Sequence, residues 1–107
     1  MEAPLSILLC LDLADLDPYA DHLRQQASYL MGVQSVALAG GTLLLAAHAL
    51  GLGSVWICAP LFAQEAIRKA LELPADWEPQ GLILLGYAAK NPSPPPRRSF
   101  EEITYTK

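Results

Sequence analysis

Residues 5–11, Leu5-Ser6-Ile7-Leu8-Leu9-Cys10-Leu11, form an apolar run entered from Pro4 and left at Asp12. Such a run is too short for a globular helix and predicts a buried strand. A strand of this kind needs neighbours on both sides and on both faces. Residues 12–27 turn polar and acidic and predict an irregular loop or a short helix. Asp17-Pro18 supplies a cap followed by a first-turn proline. From Ser28 to Leu50 the pattern is helical, with Leu30, Val33, Leu38, Leu44 and Leu45 spread around the whole circumference. A helix apolar on every side is expected to be covered on every side. At 1.5 Å per residue the segment spans roughly 34 Å. Gly32, Ala37, Ala39, Gly40, Gly41, Ala46 and Ala47 leave room for a second helix to approach, so the segment predicts a central helix at a subunit interface.

Gly51 suits a helix C-terminus. Residues 54–58, Ser54-Val55-Trp56-Ile57-Cys58, predict a strand or extended segment that Pro60 ends. Residues 63–73 predict an amphipathic helix stopped by Pro74, with Glu65 and Lys69 one turn apart. Trp77-Glu78-Pro79-Gln80 predicts a turn, and 81–88 a further buried strand. The tail, 91–107, opens with Asn91-Pro92-Ser93-Pro94-Pro95-Pro96, a stiff extended arm with polyproline II character. Strand, long helix, strand, helix, strand is the order of a layered α/β unit.

Composition sharpens this picture. The chain of 107 residues has room for one modest core. It is 52% hydrophobic and only 17% charged, which suits a surface largely buried against something else. A net charge of −4 argues against a nucleic-acid partner. Positive charge gathers at the end, where Arg97, Arg98 and Lys107 face only Glu101 and Glu102. Cys10 and Cys58 lie in apolar runs without Cys-x-x-Cys spacing and are expected to be buried free thiols. No secretory signal is apparent, and a cytoplasmic location is expected.

The absence of Asp, Glu, Lys and Arg between Arg24 and Glu65 makes a small membrane protein a rival reading. Against it stand Gln34 and His48 within the run, the Gly51-Leu52-Gly53-Ser54 break, and the lack of flanking basic or aromatic belts. No membrane partner is expected.

Groups capable of acid, base or nucleophilic work are few. The acidic stretch Asp12, Asp15, Asp17 and Asp21 lacks the glycine and terminal glutamate of a calcium loop. His22 reads as a surface residue and His48 as a core or interface residue; no spacing supports a metal. Any catalysis would therefore belong to a cofactor, with the protein supplying an apolar floor, backbone hydrogen bonds and charge for a phosphate. Residues 56–62 offer the first two. Arg97 and Arg98 offer the third, because guanidinium groups clamp phosphates through paired donors.

The block from Ser35 through Gly40-Gly41-Thr42 to Gly51-Leu52-Gly53-Ser54-Val55-Trp56 resembles the long core helix and exit turn of the nitroreductase family. Leu71-Glu72-Leu73-Pro74, Ile83-Leu84-Leu85-Gly86-Tyr87 and Pro96-Arg97-Arg98-Ser99-Phe100 continue the resemblance in the family's order. It implies an α/β (α+β nitroreductase-like) fold: a partial layered sheet around a long central buried helix. It implies FMN as cofactor, NAD(P)H as co-substrate, nitroaromatics or quinones as acceptors, and a homodimer through residues 28–50. Trp56, Ile57, Cys58 and Ala59 match the strand end along the flavin ring, although the Glu-Gly pair of some members is replaced by Cys58 and Ala59. Arg98, with Arg97 beside it, matches the C-terminal arginine that holds the FMN phosphate. The family's opening Arg-Arg-Ser-x-Arg segment has no counterpart. The resemblance is therefore to the C-terminal half of the family domain, with its N-terminal half absent, and a partner chain is expected to supply that half if the homodimer does not suffice. A non-catalytic homodimeric remnant or assembly module of the same fold is the alternative.

Overall fold

Strand β1 runs over Leu5–Asp12 and a 3-10 turn over Leu13–Asp15, capped by the Asp12 carboxylate, which accepts from the Ala14 amide at 3.0 Å. Helix α1 covers His22–Ala49, strand β2 Gly53–Ile57 and a second 3-10 turn Ala59–Phe62. Helix α2 covers Gln64–Ala70, strand β3 Trp77–Gly86 and helix α3 Phe100–Ile103. These elements come from a computed structural model that describes residues 3–107.

The three strands form one antiparallel sheet in the order β1-β3-β2. β1 is thus an edge strand paired with β3 alone among the described residues. Of the neighbours expected on both its sides, β3 alone is present among the described residues. An antiparallel sheet can leave one face solvated, which fits the half-buried side chains of most of β1.

β3 takes in residues 77–80, where the sequence predicts a turn. Its ladder with β1 skips a residue, passing from Leu9–Gly81 to Cys10–Pro79. A proline cannot donate to a ladder, and a register shift is where a strand accommodates one. The Pro79 carbonyl is used instead by Gln64 Nε2 of α2 at 2.8 Å.

α1 starts six residues before the predicted Ser28. Asp21 caps it, accepting from the Arg24 amide at 2.9 Å and pairing with the Arg24 guanidinium. The polar residues 24–26 interrupt the apolar pattern without interrupting the helix. α1 ends where the sequence indicates. Gly51, at φ 76°, lets the Gly51 amide reach His48 O at 3.0 Å and the Leu52 amide reach Ala47 O at 2.9 Å, the paired bonds of a Schellman cap.

α1 is not covered on every side. Ser28, Gly40 and Ala47 are buried, and with half-buried Gly32 they form one stripe. On the opposite side Leu30, Leu38 and Leu45 are exposed, the last two at 73%. The small residues do leave room for a close approach, but the sheet takes it. A side chain at Gly32 would crowd Leu11 and Leu16, and one at Gly40 would overlap the Trp56 ring and Leu9. The core is correspondingly thin: Leu11, Ala47 and Ile83 are its buried hydrophobics, with Ile83 at 0% exposure at the centre of the sheet.

Candidate functional site

Along β2 side chains alternate between the two faces of the sheet. Trp56 lies opposite Ile83 and turns its indole toward α1, into a notch between Gly40 of α1 and Gly81 of β3. Neither glycine has space for a methyl group there. The indole Nε1–H then donates to Cys58 Sγ at 3.1 Å. Ile57, opposite Leu82, is the last residue in the ladder. Cys58 and Ala59 follow it and are exposed, and the chain is anchored again at buried Pro60. Cys58 is therefore not the buried thiol the sequence predicts, because it lies one residue past the end of an edge strand. Cys10 is half-buried, and burial raises its thiol pKa above the ordinary value.

Trp56, Ile57, Cys58 and Ala59 thus form one continuous strand exit. Arg97 and Arg98 are exposed on the extended arm ahead of α3. The structure does not bring them to that exit. α3 itself is fixed by a capping box between Ser99 and Glu102. His48, expected in a core or interface, is exposed and lines an open cleft of about 590 Å³ with Leu52, Ala88 and Lys90.

A smaller cleft of about 270 Å³ lies between α2 and the start of β3, lined by Leu13, Gln64, Glu65, Arg68, Trp77 and Glu78. Its charges are already engaged. Arg68 grips Glu65 at 2.8 Å, and together with Lys69 this holds the Glu65 carboxyl below the ordinary range. Glu78 Oε1 accepts from Tyr29 Oη and from Gln80 Nε2, each at 2.6 Å. The hydrogen bond to Glu78, with partial burial, raises the Tyr29 pKa above its ordinary value. Sequence reasoning missed this triad because residues 77–80 read as a turn. In a strand, Glu78 and Gln80 share a face, and that alternation was the available signal.

The sequence pattern of the Nitroreductase family matches residues 1–87. The chain belongs to the nitroreductase family. A relative from Methanothermobacter thermautotrophicus, provisionally named an NADH dehydrogenase/NAD(P)H nitroreductase, is 37% identical over 93 residues, covering 85% of this chain and 44% of the relative. The hypothetical oxidoreductase YcnD from Bacillus subtilis superimposes with TM-score 0.80 at 28% identity, over 98% of this chain and 45% of that one. An oxidoreductase structure from Bacteroides fragilis gives 0.82 at 23% identity over 99% and 46%, a likeness of fold. This nitroreductase-family chain spans about half the length of the relatives it matches.

These matches correct three expectations. The nitroreductase likeness is not confined to a C-terminal-half remnant read mainly from residues 28–103, because the family pattern aligns from residue 1 and the fold match takes in 98–99% of the chain. The fold is accordingly an α+β nitroreductase-like unit with three helices and a three-stranded sheet, not a partial sheet defined by an absent N-terminal half. The partner chain expected to supply that half is withdrawn with it. The homodimer expected through residues 28–50 gains no support from the small-residue stripe, which Trp56, Leu9 and Leu11 of the same chain fill. α1 is long and apolar enough to cross a membrane by length and composition alone; here its small-residue stripe is seated on the sheet and its leucine side is exposed.

Proposed function

We propose that this chain acts as an FMN-dependent oxidoreductase unit in the cytoplasm, moving electrons from NAD(P)H to a nitroaromatic, quinone or related acceptor. Family membership supports the class of reaction. The observation that carries the site is the exposed strand exit at Cys58 and Ala59, beyond the last ladder pair Ile57–Leu82. A planar ring system with a polar edge fits such a place: apolar side chains of the strand end beside backbone groups that have left the ladder. Bound there, FMN would supply the hydride-accepting and electron-donating chemistry. Ile57, Cys58 and Ala59 would lie along its ring, with Trp56 at their base. Arg98, with Arg97 beside it, would hold the phosphate through paired guanidinium donors once the exposed arm that carries them is brought to the exit.

FMN titration followed by visible absorbance and flavin fluorescence tests this reading. Binding is expected, with NAD(P)H oxidation in the presence of a nitroaromatic acceptor. Replacing both Arg97 and Arg98 by alanine is expected to weaken FMN binding by about ten-fold or more, the size of a lost charge-assisted hydrogen bond. No binding at high micromolar FMN would overturn the proposal.

A further inference from the structure

We infer that Trp56 is a positioning residue for the cofactor-facing segment, acting through Cys58 rather than by touching the ring itself; the cofactor half of this inference rests on the flavin reading above. The indole cannot turn. Gly40 holds it on the helix side and Gly81 on the strand side, each so close that a methyl group in its place would overlap the ring. Its N–H therefore points in one fixed direction, and Cys58 Sγ receives it at 3.1 Å.

Cys58 is exposed and outside the ladder, and the indole is the partner that its thiol has. Its backbone, at φ −84° and ψ −1°, turns the chain out of the sheet, and its carbonyl accepts from the Leu61 amide at 3.0 Å to start the Ala59–Phe62 turn. The thiol is thus the link between a rigid wedge and the one exposed stretch of backbone between Ile57 and Pro60. Losing the link leaves the wedge packed and the fold standing, but lets the Cys58–Ala59 segment sample other directions. A surface that must lie flat along a ring then binds it less well.

The test compares Cys58→Ala, which removes the acceptor, with Cys58→Ser, which restores one of similar reach, and with Trp56→Phe and the Trp56→Phe/Cys58→Ala double variant. In the ligand-free chain, solvent exchange of the Trp56 indole proton is followed by nitrogen-15 NMR, with Trp77 as internal reference. Exchange is expected to be slow in the parent, several-fold faster in Cys58→Ala and slow again in Cys58→Ser. With FMN, Cys58→Ala is expected to bind about five-fold more weakly, the loss of one ordinary hydrogen bond, and Cys58→Ser to recover most of that loss. The double variant should be little weaker than Trp56→Phe alone, because both changes cut one linkage. Equal indole exchange in all three cysteine forms would overturn the inference, as would additive losses in the cycle. If the parent chain binds no FMN, the flavin reading fails, and the ligand-free exchange still decides whether Trp56 fixes Cys58.

Discussion

Two adjacent glycines in α1 differ in what they are for. Gly40 is buried under the Trp56 ring and Leu9, whereas a methyl group at Gly41 would meet nothing within 4 Å. Helix propensity alone treats them alike, each costing about 1 kcal/mol relative to alanine. Packing separates them. Gly41→Ala is expected to stabilise the chain by up to about 1 kcal/mol, and Gly40→Ala to destabilise it by about 1–3 kcal/mol through overpacking. Urea denaturation of the two variants checks this, and a shift of the same sign in both would show that the notch is not tight. The sequence shows that small residues matter between 32 and 47. It does not show which of them face a neighbour, because helical phase needs a partner to define it. Nor does it show that Cys58 is exposed, since its apolar surroundings on the chain are not its surroundings in space.

α1 and α2 end with the same device made from different residues. After α2, Glu72 takes φ 51°, its amide reaching Lys69 O at 3.2 Å and the Leu73 amide reaching Arg68 O at 2.9 Å. Gly51 adopts the left-handed conformation without a side-chain penalty, and Glu72 adopts it with one of about 1 kcal/mol. Gly51→Ala is therefore expected to lower stability by about 1 kcal/mol, and Glu72→Gly to raise it by up to about the same amount. Thermal and chemical melts of both variants decide the matter; stabilisation by both would sink the argument. The C-terminal glycine of α1 was readable from sequence, and so were the cores of all three strands. The start of α1 was not, because the Asp21 cap precedes a polar first turn that carries no apolar periodicity. The full length of β3 was hidden by Pro79, which reads as a breaker until the register shift opposite it is known.

The whole molecule is a slab, about 48 × 48 × 24 Å, its thin dimension that of a helix laid on a sheet. Its radius of gyration of 17.1 Å exceeds the roughly 13 Å of a compact domain of this size. The exposed leucines of α1 and the extended arm explain that openness, and no sequence pattern distinguishes such a helix from one enclosed on every side. The Tyr29–Glu78–Gln80 triad ties one layer to the other. Because hydrogen bonding to Glu78 and partial burial raise the Tyr29 pKa, the stability this tyrosine contributes is complete below the unfolded value of about 10 and disappears as pH climbs through the folded one. The stability difference between the parent and Tyr29→Phe is thus expected to stay level from neutral pH up to about 9 and to shrink above about 10. A difference that stays constant into stronger alkali would remove the coupling.

The strand order has a consequence for synthesis on the ribosome. The two outer strands are made first, and the one that joins them is made last, with α1 between the outer pair in the sequence. Until residues 77–86 leave the exit tunnel, the nascent chain carries α1 and two strand segments that each lack their β3 partner. The sheet is completed only when β3 pairs with both, and a pause in translation before that point leaves those strand edges open to other chains.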